Sequence, residues 1–279
     1  MKYTSILSAA ALALTLCACD NIDENDRLIP IDFAKSDKVV LVEEFTGARC
    51  PNCPNGASTI AAIHEHPVYG ARVIPVSMYP TQLTNLTRPW SSDQDLRTTE
   101  ARDIFAVYNV RNALPAAMFN RRTFDNAVLQ TSYTQWGGFV SSIFDEGGYP
   151  PANIEMSCSY DETTRELTVN YHTQFVDEIQ EEILFQVYVV ENGIVTKQSS
   201  TAGEIENYVN NHVLRTAING TWGLSYGENH LPGSTFEDTV TTTLKDKWNA
   251  DNIQVIGFIC YAAGNREVLH AAMLESITE

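Results

Sequence analysis

Basic side chains are scarce in this sequence. Lys and Arg number 18 against 35 Asp and Glu, a formal net charge of −17. No stretch gathers cations into a patch able to neutralise phosphates, which excludes nucleic-acid binding through the phosphate backbone. Long apolar runs are missing after the first 18 residues, so no later segment offers the roughly 20 apolar residues a helix needs to cross a bilayer. Internal repeats, low-complexity tracts, glycine-rich phosphate loops and Ser-His-Asp spacings are absent too, which leaves no signature of nucleotide binding or serine hydrolysis. Cysteine is sparse, six in 279 residues, and beyond Cys19 only Cys50 and Cys53 lie close together. Without a second close ligand pair, a zinc site lacks support. His64-Glu65-His66 does not supply one, because neighbours two apart on a helix do not share a face. His172, His212, His230 and His270 are scattered and receive no role. No metal and no cofactor is expected. What remains, 44% hydrophobic, reads as a soluble globular body of a length that fits two domains.

Residues 1–18 carry one cation, Lys2, an apolar core from Ile6 to Leu16 and small residues before a cysteine, the layout of a secretory signal. Leu16-Cys17-Ala18-Cys19 resembles a bacterial lipobox, in which cleavage precedes a cysteine that becomes acylated. Cys19 is the candidate, since Ala18 before it is small whereas Leu16 before Cys17 is bulky. A cleaved signal without lipid is the alternative. Asp20-Asn21-Ile22-Asp23-Glu24-Asn25-Asp26 cannot build a core, so residues 19–36 read as an acidic tether.

From residue 37 to 148 strand-like and helix-like segments alternate. Strands are expected over Val39 to Phe45, Arg72 to Met78 and Ala116 to Asn120, with helices over Cys53 to His64, Thr98 to Tyr108 and Tyr133 to Phe144. In the last, Tyr133, Trp136, Phe139, Val140, Ile143 and Phe144 recur at helical spacing. Thr81 to Arg97 reads as an insertion placed to cover the thiols. Gly147-Gly148-Tyr149-Pro150-Pro151 breaks the last helix and sets the domain boundary. From 151 to 279 the pattern becomes β: Leu167, Val169 and Tyr171 alternate with Thr168, Asn170 and His172. Asn192-Gly193 predicts a hairpin between Phe185 to Val190 and Ile194 to Gln198. Further strands are expected at Ile154 to Tyr160, Val213 to Ile218, Phe236 to Thr243, Ile253 to Tyr261 and Val268 to Leu274. That count implies a β-sandwich. Cys158 and Cys260, both in such strands, are either bridged or merely buried.

Cys50-Pro51-Asn52-Cys53 carries the chemistry. It falls between an apolar strand and an Ala-rich helix, where the helix dipole stabilises a thiolate. In a redox reading Cys50 attacks, exposed at the helix start, and Cys53 resolves the mixed disulfide, with Arg49 as a nearby cation. A structural disulfide without turnover is the other reading.

Val42-Glu43-Glu44-Phe45-Thr46-Gly47-Ala48-Arg49 before the first cysteine, and Val110-Arg111-Asn112-Ala113-Leu114-Pro115-Ala116-Ala117-Met118-Phe119 later on, resemble two segments of thioredoxin that meet in its fold. The resemblance implies a cis Leu114-Pro115 bond beside the disulfide, which together with Arg49 lines a groove for an extended substrate, and Glu44 as a buried acid able to pass a proton to Cys53. Strand alternation leaves open whether Glu43 or Glu44 points inward. Arg49 where thioredoxins carry an aromatic residue, and Pro54 after the second cysteine, depart from that pattern and leave the reduction potential unspecified.

Glu43 to Cys53, Asn211-His212-Val213-Leu214-Arg215 and Asn219-Gly220-Thr221-Trp222-Gly223 resemble the outer-membrane protein twenty-eight family over nearly the whole chain. The resemblance implies an outer-membrane lipoprotein with an α/β thioredoxin-like domain followed by an all-β immunoglobulin-like sandwich. Two functions are expected from these readings. The first is thiol-disulfide exchange with cysteine-containing envelope proteins. The second is surface binding or adhesion with the thioredoxin fold as scaffold, using β-domain loops and aromatics such as Trp222, Tyr226 and Trp248.

Overall fold

Six consecutive buried residues, Val40–Phe45, form strand β1. It is covered on both faces, as a strand of an α/β layer should be. The computed structural model describes residues 33–91, 93–109 and 112–278. The predicted signal peptide, Cys19, most of the acidic tether, and Val110 and Arg111 lie outside the described residues.

After β1 come α1 (Cys53–His64), β2 (Val73–Met78), the short α2 (Thr84–Thr87), α3 (Thr99–Tyr108), β3 (Ala116–Phe119) and α4 (Trp136–Asp145). Thr98 starts α3 by accepting from the Ala101 N–H, as an N-cap side chain does. β1 pairs in parallel with β2 and antiparallel with β3. Val40 and Val42 face α1 and α4, packing with Ile60, Ile63, Trp136 and Val140. Leu41 and Phe45 face the other way, toward Ile104 and Phe105 of α3. Burying side chains of this size contributes about 1.5–3 kcal/mol each.

The remainder is β-rich: β4 (Ala152–Asp161), β5 (Glu166–Phe175), β6 (Ile183–Glu191), β7 (Ile194–Ser200), β8 (Gly203–Asn210), β9 (Val213–Ala217), β10 (Leu224–Ser225), β11 (Thr235–Thr243), β12 (Ile253–Tyr261) and β13 (Val268–Leu274). One eight-stranded sheet runs β13-β12-β6-β9-β2-β1-β3, with β10 beside β6. It passes through both halves of the chain. β4, β5 and β11 form a second sheet, stacked on β6 and β12 through Leu167, Val169, Tyr171, Phe185, Val187 and Val255. The opposite face of β6 and β12 meets α3 through Tyr188, Ile256 and Phe258. β6 is therefore buried on both sides, which suits its continuous apolar run.

A buried ion pair joins the halves. The Arg121 guanidinium donates to both carboxylate oxygens of Glu43 on β1 at 2.7 Å, and to the Tyr188 hydroxyl on β6 at 3.1 Å.

One expectation needs correction, and one open alternative is decided. The predicted hairpin at Asn192-Gly193 does not form, because β6 and β7 belong to different sheets and β7 pairs only with β8. Gly193 does take positive φ, but Asn192 does not, and a two-residue hairpin of this type needs both. Instead the Asn192 side chain accepts from the His212 N–H, and the Gly193 N–H donates to the Asn211 side chain, so the chain leaves the sheet at a corner. Cys158 and Cys260 are both free thiols. They pack into cores on opposite faces of the large sheet, which keeps them apart.

Candidate functional site: the disulfide loop and the cleft beside it

Cys50 and Cys53 form a disulfide at the turn between β1 and α1. α1 begins at Cys53, not at Cys50. The reason is local: Cys50 precedes Pro51, and a residue before proline avoids the helical region. Pro54 lies in the first turn, where its missing N–H leaves nothing unsatisfied.

The expected exposure of Cys50 is overturned. Cys50 and Cys53 are each only 1% exposed. Two segments close over them. β7 lies across the loop, with the Ser199 N–H donating to the Ala48 carbonyl at 2.9 Å. From the same strand, Gln198 Nε2 donates to the carbonyls of Gly47 and Cys50, each at 3.1 Å. From the other side comes the predicted insertion. The Arg49 N–H donates to the Leu86 carbonyl, and that same carbonyl stands so close to Gly47 that a Cβ there would collide with it. Arg49 is not a free cation beside the sulfur either. Its guanidinium stacks on Trp90, 3.7 Å from the ring centroid, and donates to the carbonyls of Arg88 and Pro89.

Leu114-Pro115 is cis, and Pro115 is buried against the first turn of α1, where a Cβ built on Gly56 would fall 2.9 Å from Pro115 Cβ. Leu114 is partly buried and packs against the α3 core. Cys50, Cys53, Glu44 and Pro115 are thus gathered around one helix start, as the two resembling segments imply.

The alternation of β1 resolves the two glutamates. Glu43 faces α3 and is neutralised by Arg121, whereas Glu44 faces α1. Glu44 is 2% exposed, its Oε1 has no hydrogen-bond partner, and burial pushes its pKa up to about 8. At neutral pH it is a carboxylic acid, as desolvation without a counter-charge dictates.

Beside Cys53 a cleft of about 350 Å³ opens. Glu44, Glu65, Tyr79, Tyr208, His64 and His212 supply its ionisable wall, and among the described residues no lysine or arginine lines it. Burial and then the Glu44 charge raise both tyrosines, Tyr208 to about 12. Burial and then His64 push His212 down to about 4, and its Nδ1 has no partner. Tyr79 and Tyr208 escaped the sequence reading because nothing local marks them, and His212 figured there without a role in the site. Gln198 left one trace, a polar residue in register with Ile194 and Thr196 on the buried face of a strand.

The proposed contact aromatics are not exposed. Trp248 is 5% exposed, Tyr226 stacks on Phe236 and bonds to Asp238, and Trp222 is half-buried under Arg266. Among the described residues no cluster of three or more His, Cys, Asp or Glu could hold a metal.

Residues 102–275 match the family described as outer membrane protein Omp28. The chain belongs to that family. It is accordingly an outer membrane protein. Among solved structures, HBP35 of Porphyromonas gingivalis superposes with a TM-score of 0.65 at 14% identity, covering 88% of this chain and 77% of that one. This likeness concerns the fold alone. A domain of the outer membrane lipoprotein Omp28 from Porphyromonas gingivalis gives a TM-score of 0.31 at 18% identity, over 46% of this chain and 88% of that one. No curated protein matches.

Proposed function

We propose that this Omp28-family protein is a lipid-anchored binding protein, acylated at Cys19, in which a thioredoxin-like region serves as scaffold and its disulfide is closed. The order β1-α1-β2-α3-β3-α4 and the helix-start disulfide support the thioredoxin-like reading. The stacking of β4-β5-β11 on β6 and β12 supports an immunoglobulin-like region sharing its second layer with the α/β part. One observation carries the functional reading: both cysteines are only 1% exposed, and β7 is latched over the loop by the Gln198 bonds to the carbonyls of Gly47 and Cys50. A sulfur that no partner thiolate can approach does not exchange. Recognition then belongs to the cleft beside Cys53, not to the β-domain loops, whose aromatics are packed.

A second reading has its own support. Cys53 lines the cleft together with a protonated Glu44, the arrangement that would supply a proton to a departing thiolate once β7 lifted. A partner dithiol would then be oxidised as Cys50–Cys53 is reduced. Reduction by dithiothreitol, with and without denaturant, separates the readings. The scaffold reading expects the folded protein to react at least about a hundredfold more slowly than the unfolded chain. It also expects the Cys53→Ser variant to trap no envelope proteins on Cys50. Fast native reduction with trapped mixed disulfides would install the exchange reading in its place.

A further inference from the structure

We propose that the cleft beside Cys53 binds a primary ammonium group, with Glu44 as its counter-ion. The proposal rests on the binding reading above and names its ligand chemistry.

The cleft is built for a donor. Its ionisable lining is Glu44, Glu65, His64, His212, Tyr79 and Tyr208, with no cationic side chain among them. Two of its polar atoms, Glu44 Oε1 and His212 Nδ1, are buried without hydrogen-bond partners. An orphaned buried carboxyl costs stability and marks a position where a ligand atom belongs. Of its neighbours, the Tyr79 hydroxyl donates to Asn210 at 2.7 Å, and the Asn210 amide is spent on Ile194 and Thr196. At about 350 Å³ the cleft lies at the small end of ligand pockets.

Charge selects the ligand. A net charge of −17 repels anions and raises the local concentration of cations. An ammonium is a compact point charge with three donors and no acceptor, so it needs only one reachable carboxylate oxygen. A guanidinium fork engages both oxygens of a carboxylate in one plane, whereas the oxygen left buried without a partner here is Glu44 Oε1.

The proton balance follows. Glu44 binds as the carboxylic acid and ends as the carboxylate, so R–NH3+ and Glu44–COOH become R–NH3+ paired with Glu44–COO−, and one proton passes to solvent. The groups facing Glu44 are Tyr79 just after β2 and Tyr208 on β8, the disulfide and Gly56 from α1, and Pro115 before β3. His64 and His212 stand further along the cleft wall, and Glu65 is at its rim. Below about pH 8 the association constant should rise about tenfold per pH unit, and level off above it.

The test is calorimetric titration of the full chain with butylamine, in two buffers of different ionisation enthalpy at pH 7. Release of about one proton per ligand is expected, with n-butanol binding at least about tenfold more weakly. Glu44→Gln should abolish binding. Ala61→Lys, which sets a cation on the exposed rim of the cleft, should weaken it about tenfold or more without touching the core, and decides the matter if Glu44→Gln does not fold. Nα-acetyl-lysine amide and putrescine separate the sources: preference for the first names a protein lysine, for the second a free polyamine. Binding indifferent to Glu44→Gln or Ala61→Lys, equal affinity for butanol, or absence of proton release overturns the proposal. A failure here with the disulfide still shielded from dithiothreitol sinks the ammonium site and spares the scaffold reading.

Discussion

Gln198 donates through one amide nitrogen to the carbonyl of Cys50, 148 positions earlier in the chain, at 3.1 Å. The same nitrogen reaches Gly47 at 3.1 Å, so a strand of the β-rich region is latched over the disulfide turn. Each such bond contributes about 1 kcal/mol net. Gln198→Ala should therefore ease local opening by about 2 kcal/mol and speed reduction of the native disulfide by roughly thirtyfold. Timed alkylation after dithiothreitol reads the rate. An unchanged rate would mean that β7 is held by something other than this amide.

That latch also explains what the sequence could and could not disclose. β1, α1, β2, α3 and β3 stand within a residue or so of their expected bounds, because each combines a periodic apolar face with local punctuation such as Thr98 or Pro51. β8 went unseen. Gly203-Glu204-Ile205-Glu206-Asn207-Tyr208-Val209-Asn210 is exposed at nearly every position and shows no clean alternation, since it pairs with β7 in a two-stranded ribbon. The Asn-Gly pair signalled a turn but not its destination, which long-range bonds to Asn211 and His212 decide. Burial of Cys50 was illegible for the same reason. Exposure belongs to the fold, and here it is removed by residues far along the chain. Glu44 was legible as a candidate acid, whereas its tyrosine and histidine neighbours arrive from the residue after β2, from β8, from the end of α1 and from the turn before β9.

Gly56 tests the packing between Glu44 and Pro115. In an open helix, replacing glycine by alanine stabilises by about 1 kcal/mol. Here the added carbon would fall 2.8 Å from Glu44 Oε1 and 2.9 Å from Pro115 Cβ, and a buried proline ring does not give way. Gly56→Ala should instead lose about 1–3 kcal/mol, read as a lower urea midpoint.

The Glu43–Arg121 pair predicts an asymmetry. Both side chains are 1% exposed, so removing one leaves the other charged and unpaired in the core. Arg121→Met should cost about 3–5 kcal/mol, while Arg121→Met combined with Glu43→Gln should recover much of the loss. Urea unfolding of the two single variants and the double variant measures the coupling. Additive losses would mean that the pair is not the link between β1 and β6.

Stability should pass through a maximum near pH 6.5. Burial lowers His212 and His270 to about 4, below the unfolded value of 6.5, so between these pH values the unfolded chain binds more protons and stability rises with pH. Glu44 acts in the opposite sense. Its folded pKa of about 8 exceeds the ordinary 4.5 of the unfolded chain, so the folded protein holds the extra proton in that window, and stability falls as pH rises through it. Each group contributes at most about 1.4 kcal/mol per pH unit. From 4.5 to 6.5 the two histidines outweigh the one carboxyl. Above 6.5 Glu44 acts without them, and the slope turns negative until about pH 8. Glu44→Gln carries no titrating proton, so its stability should hold level from pH 6.5 to 8 while the parent protein declines, and the difference between their urea midpoints isolates this one carboxyl. A parallel decline in both proteins would place the missing proton elsewhere and leave Glu44 ionised at neutral pH.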